Sequence, residues 1–347
     1  METLVNVCPW LRDGFWRTAC GLAFAFATVS AFAQAPAAPA PTLDDQAATH
    51  LWWGDFEALE KLRREIDGPG KRDANGLALI QTFRSGVGRV IADQEGSGDR
   101  YLIELDALTL QWATERPMSP LAHVLHARTL AARAWAYRGD GFANTVAPEN
   151  LKLFRLYLER AAQHLSSVDA VIQGDSSGHR ELLVVARGLS LDLEQQWRIA
   201  ERGLRANPDD IGLWSQLLTA TLPKWLGDAD EVDRLIKRAV QATRAQRGED
   251  LYARLYADAA DEEFSRGLFE DSRADWTRMK KGFRDMLERW PSSAYNWNRF
   301  AYMACLAQDR EALSEALDKV GDKPQLGAWG SNARRTFEGC QKLARRT

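Results

Sequence analysis

The chain has 347 residues, with 45 lysines and arginines against 48 aspartates and glutamates and a formal net charge of −3. A balance this even, with no clustered basic stretch, argues against a nucleic-acid binder. Beyond the N-terminal segment nothing is apolar enough to cross a membrane, which takes roughly 20 apolar residues.

The N-terminus reads as an export signal over residues 1–33. Arg12 and Arg17 precede an uncharged run from Thr18 to Ala33, which closes in the small-x-small pattern Ala31-Phe32-Ala33. Cleavage there leaves Gln34 first, and an uncleaved anchor is the alternative. Cys20 precedes the apolar run, which argues against a lipoprotein anchor. Residues 34–42 form an Ala/Pro-rich tether that cannot pack a core. The remainder, 43–347, is expected to be one α-helical repeat domain in a periplasmic setting.

Helical periodicity dominates that domain. Val232, Leu235, Ile236, Ala239 and Val240 follow the i, i+3, i+4, i+7, i+8 stripe of an amphipathic helix, and Phe56, Leu59, Leu62 and Ile66 form a shorter one. Sustained β-type alternation is absent. Helices are expected near 44–66, 76–93, 101–116, 120–137, 149–172, 179–191, 193–206 and 210–221. Further ones are expected near 229–246, 250–266, 269–289, 294–307, 309–319 and 329–345. Prolines 69, 117, 120, 148, 208, 223, 291 and 324 fall between these runs, where their missing amide and steric clash do no harm.

Two junctions share one spacing. Asn207-Pro208 is followed by Trp214 and Trp290-Pro291 by Trp297, each aromatic six positions after the proline; Pro117 and His123 repeat the spacing with an imidazole. Such junctions join tetratricopeptide-like helical hairpins. The intervals fit units of roughly 42–45 residues rather than the 34 of the standard motif. The expectation is an all-α, tetratricopeptide-like helical-hairpin solenoid with degenerate, longer-than-standard repeats. Ser119, Asp209, Asp210 and Ser292 are the expected helix caps at these junctions.

The connectors hold the candidate binding residues. In Trp135-Ala-Tyr-Arg138-Gly139-Asp140-Gly141-Phe142-Ala-Asn-Thr145-Val146, a helix ends at Arg138 and two glycines open the backbone. The loop is either a glycine cap or a polar clamp made by Arg138, Asp140 and Thr145. Leu222-Pro-Lys-Trp225-Leu-Gly-Asp228 is a second connector, with Trp225 as its anchor. Cys305 and Cys340 remain after cleavage, either bridged or as two buried thiols. His123 and His126 share a helix face but lack the further ligands of a metal motif. The carboxylates Glu104/Asp106 and Asp258/Asp261/Glu262/Glu263 read as solvated faces. Ser85-Gly86-Val87-Gly88 lacks the lysine of a phosphate loop. Neither a catalytic set, a metal site nor a cofactor motif is expected.

The WAYRGDGFANTV loop with its LKLFRLYLERA helix, the LPKWLGD turn and the WNRFAYMACLAQDREAL segment resemble a family of bacterial tetratricopeptide-like proteins carrying a domain of unknown function. The resemblance spans roughly residues 50–345. It implies a helical-repeat fold and supplies no catalytic residues. The functional expectation is an exported scaffold that binds a protein or peptide. The alternative is a periplasmic small-ligand binder or hydrolase using the 138–145 loop.

Overall fold

Helix pairs follow one another along the chain in the computed structural model, which describes residues 40–68, 70–92, 99–139, 141 and 143–345. The expected export signal, the expected tether up to residue 39 and Asp140 lie outside the described residues. Among the described residues there is no β-strand, only an isolated bridge between Arg72 and Ala78. The fold is all-α, and Pro41–Thr347 forms one unit.

The elements are α1 (Leu43–Trp52), α2 (Phe56–Glu65), α3 (Leu79–Ile91), α4 (Asp99–Glu115), α5 (Pro120–Arg138) and α6 (Pro148–Ser167). After a short α7 (Asp169–Ile172) come α8 (Ser176–Gly188), α9 (Leu193–Ala206), α10 (Ile211–Thr221), α11 (Ala229–Arg247) and α12 (Asp250–Ala259). The chain ends with a short α13 (Leu268–Asp271), then α14 (Trp276–Arg289), α15 (Ala294–Leu306), α16 (Arg310–Val320) and α17 (Ala333–Ala344). Consecutive helices pack together, α5 on α6, α8 on α9, α11 on α12 and α15 on α16, and alternate helices also touch, α8 with α10 and α10 with α12. Contacts of α3 with α5 and of α5 with α8 extend this row, and Arg299 of α15 donates to the Ala257 carbonyl of α12, so α3, α5, α8, α10, α12 and α15 lie one beside the next. We call the surface they share the inner face.

Junction chemistry explains the shared spacing. Trp214 donates its indole N–H to the Pro208 carbonyl at 3.0 Å, and Trp297 donates to that of Pro291 at 2.9 Å. His123 makes the same bond, Nε2 to the Pro117 carbonyl at 3.0 Å. An aromatic N–H six residues on satisfies a carbonyl that the proline turn leaves outside the helix ladder. Asp210 caps α10 and Ser119 caps α5. At the third junction the cap is Ser293, not Ser292, because the Trp290-Pro291 turn carries the chain one residue further before the helix starts.

Four expected helices are broken, among them 269–289, which residues 272–275 divide into α13 and α14. The 44–66 run divides at Gly54, whose φ of +65° turns the chain between α1 and α2. The 149–172 run ends at Ser167 before α7, and the 250–266 run ends in a π turn over Ala260–Phe264. The glycines of Ser85–Gly88 are packing devices: a Cβ on Gly86 would meet the Asp44 backbone, and one on Gly88 would meet the Arg128 guanidinium. Cys305 in α15 and Cys340 in α17 form a disulfide, with Cα atoms 5.6 Å apart.

Candidate functional site

The inner face carries three groups of polar side chains, and the first grips the chain itself. Between α2 and α3, residues 71–78 turn back across the N-terminal ends of α10, α12 and α15. Arg254 donates Nη2 to the Asn75 carbonyl at 2.6 Å, and Asn296 donates Nδ2 to the same oxygen at 3.2 Å. Ser293 donates to the Asn75 side-chain oxygen at 2.7 Å. Arg247 and Arg72 both donate to the Gly76 carbonyl, at 3.2 and 3.0 Å. Gly76 has φ +77° and lies flat on Trp290, where a Cβ would sit 2.5 Å from the indole. Any side chain there would both strain the backbone and collide.

The cations of this clasp are saturated. Asp250, fully buried, receives Arg247 at 2.7 Å and Arg254 at 2.5 Å, and Asp209 receives Arg72 and Arg247. Burial, together with the neighbouring Arg247, pulls the Arg72 guanidinium down to about 10. Buried pairs like these hold only when each remaining donor finds an acceptor, and here the loop carbonyls provide it.

Beside the clasp lies a cavity of about 170 Å³, lined by Gln81, Ser215, Arg254, Asp258, Tyr295 and Arg299 among others. Ser215 donates to the Asp258 carboxylate at 2.8 Å. Burial raises the Asp258 carboxyl to about 6, outweighing the Ser215 hydrogen bond and the charge of Arg299. Arg299 is held by Asp261 at 2.9 Å and by the Ala257 carbonyl at 2.8 Å. Asp258 sits one residue before the end of α12, and a π turn of this kind often re-aims side chains next to functional sites.

The third group runs along α8. Arg84 of α3 is locked by Asp210, whose carboxylate also accepts from Ser176 at 2.5 Å. Next to this pair, Arg180 makes no hydrogen bond or ion pair with any described residue, and its Nε is closed off from solvent. Burial and the charges of Arg84 and Arg128 pull it down to about 10. Two turns further on, Arg187 reaches only the Gln216 side-chain oxygen at 3.3 Å and the ring of Trp225, 5.4 Å from its centroid. Arg128 donates to the Arg84 carbonyl at 3.1 Å and has no carboxylate partner among the described residues.

The residues singled out from the sequence fall unevenly on this surface. Trp225 belongs to it, packed edge-on against Trp135 at 6.3 Å and under Arg187. Arg138 instead turns back on its own loop, donating to the Gly139 carbonyl at 2.9 Å and to that of Gly141. Thr145 is solvent-exposed in the short 3-10 turn that precedes α6. Trp225 thus meets α5 one turn before Arg138, whose guanidinium is engaged by its own loop.

His123 and His126 face a third imidazole, His164. His123 uses its Nε2–H on Pro117, so its Nδ1 accepts from His164 Nε2 at 3.2 Å. The edge of His126 meets the His164 ring at 4.6 Å between centroids. Burial, with the two neighbouring imidazoles, takes His164 down to about 4, and burial also lowers His126. Among the described residues no group of three histidine, cysteine, aspartate or glutamate side chains is arranged to hold a metal ion. No described helix is long and apolar enough to cross a membrane.

Arg254, Asn296, Arg180 and Arg187 were not singled out from the sequence. Only Asn75-Gly76, the turn signal within a polar connector, could have pointed to the clasp. Comparison with protein-family models, curated proteins and solved structures gives no match to this chain.

Proposed function

We propose that the protein is an exported helical-repeat scaffold whose inner face holds an extended segment of a partner protein. This reading also keeps the resemblance to tetratricopeptide-like proteins and the periplasmic setting. One observation carries it: the inner face already grips main chain, the turn at Asn75-Gly76, through Arg254 and Asn296 on a backbone carbonyl. Side chains that read a main-chain carbonyl accept many sequences, as peptide-binding grooves do. Helices lying side by side in a stack present such long surfaces naturally.

A peptide array tests this. The mature chain, in which Lys71–Leu79 stays in place, is compared with a variant carrying a Gly/Ser linker over Asp73–Leu77. Extended peptides should bind, and the linker variant should bind more of them. Asn296→Ala in the linker background should weaken that binding. If no peptide binds either protein while small metabolites raise the melting temperature, the scaffold reading is lost.

The cavity at Asp258 favours a second reading, a small-ligand binder or hydrolase. A carboxyl raised to about 6 beside two arginines is a combination found in acid–base sites. This alternative rests on Asp258 rather than on the 138–145 loop, whose arginine is occupied by loop carbonyls.

A further inference from the structure

We propose that Arg180 and Arg187, with Arg128 beside them, form an anion seat on the inner face that receives the carboxylates of an acidic peptide segment. The inference deepens the partner-segment reading and rests on it. Elsewhere on this face the buried arginines are matched: Arg84 with Asp210, Arg247 and Arg254 with Asp250, Arg299 with Asp261. Arg180 and Arg187, half-buried on the same face, are not matched. Each has a buried Nε without a partner, and neither ion-pairs with any described residue.

Both side chains are half-buried, and closing off an Nε without a partner costs desolvation that no ion pair recovers. At Arg180 like charge from Arg84 and Arg128 adds to the cost, and Glu181 and Asp210 offset part of it. A fold selected for stability alone would place a methionine or leucine at such a position. Retaining a cation there makes sense when an anion completes it on binding.

The spacing fits more than one carboxylate. Positions 180 and 187 lie two turns apart on one side of α8, about 10 Å along the helix axis at 1.5 Å per residue. An extended segment advances about 3.3 Å per residue and points alternate side chains the same way, so acidic residues two or four apart, about 7 or 13 Å along the chain, bracket that span and meet both seats through side-chain reach. Arg187 is also backed by Trp225, whose ring orients the guanidinium plane. A planar fork held in this way suits a carboxylate better than a freely rotating cation would.

The probe is a fluorescently labelled peptide of alternating glutamate and alanine, with an alternating glutamine–alanine peptide as the neutral control. Anisotropy is read with the mature chain at low and at physiological salt. The glutamate peptide should bind about tenfold tighter than the control, and the preference should shrink as salt rises. Arg180→Gln with Arg187→Gln should erase the preference, whereas Arg187→Lys should keep part of it. Melting curves verify that each variant is folded, and Arg180→Met in anion-free buffer should melt no lower than the parent. Equal binding of both peptides overturns the anion seat and leaves the partner-segment reading standing. Binding of neither peptide, together with a blank peptide array, overturns both. Stabilisation by inorganic phosphate without any binding of the glutamate peptide also overturns the acidic-segment assignment.

Discussion

Two sets of arginines on one surface are in opposite states. Around residues 71–78, Arg72, Arg247 and Arg254 are saturated by Asp209, Asp250 and the carbonyls of Asn75 and Gly76. Along α8, Arg180 and Arg187 make no ion pair with any described residue, and Arg187 reaches only the Gln216 side-chain oxygen and the Trp225 ring. The same residue type thus makes structure in one place and leaves unused binding capacity in the other. Arg247 and Arg254 are buried and the α8 pair half-buried. What sets them apart chemically is a carboxylate within ion-pair distance, present at Asp250 and absent for Arg180 and Arg187 among the described residues.

The largest expected effect lies in the saturated set. Arg247→Ala leaves the fully buried Asp250 with one cation instead of two and removes a donor from Gly76. Urea unfolding should show a loss of about 3–5 kcal/mol. If Arg180→Ala costs as much, the contrast between the two sets is false. The disulfide sets the next scale. It closes a separation of 35 residues between Cys305 and Cys340, so Cys305→Ser with Cys340→Ser should cost about 3–4 kcal/mol. Adding reductant to the parent chain should reproduce that loss, and should change nothing in the double variant.

Gly76→Ala tests the clasp itself. The positive φ and the Trp290 contact together predict a loss of about 2 kcal/mol, with greater protease sensitivity within 67–78. Cleavage confined to that segment would show that the clasp opens while the helix pairs stay folded.

The fold was largely legible in the sequence, and the physical reason is local. Proline exclusion, apolar period and capping residues act over a few positions, so they place α9, α10, α11 and α15 within a residue or two. Junction aromatics belong to the same class, since a ring N–H reaches a carbonyl six residues back. The clasp and the α8 arginines were not legible. Asn75 meets Asn296 across 221 positions and Arg254 across 179, distances over which no periodicity carries information. Asp258 and Glu262, expected as a solvated face, show the same limit. One is buried beside Ser215 and the other accepts from Thr219 at 3.2 Å, because α10 packs over both.

Acid should act through the histidines. His126, His164 and His179 are held below their ordinary value chiefly by burial, so the unfolded chain binds protons first as pH falls below about 6.5. The histidine contribution should therefore decline from about pH 6.5 and level off near 4, where folded His164 also protonates; below that the lowered Asp309 carboxyl takes over the loss. Asp258 opposes this, because its raised carboxyl favours the folded state on protonation between about 4 and 6. His164→Phe should flatten the decline, and Asp258→Asn should steepen it. Urea midpoints at pH 7.5, 6 and 5 resolve the two.

The smallest effect concerns the junctions. Trp214 is almost fully buried, whereas Trp297 makes its bond to Pro291 at an exposed edge. Replacing either with phenylalanine removes the N–H and strands a carbonyl. Water can reach the exposed carbonyl but has less access at Pro208, so Trp214→Phe should cost about 1 kcal/mol more than Trp297→Phe. His123→Phe adds a consequence the tryptophan junctions lack, since it also removes the acceptor for His164 Nε2. If all three substitutions cost the same, the ring N–H is not what sets the six-residue spacing, and apolar packing alone must account for it.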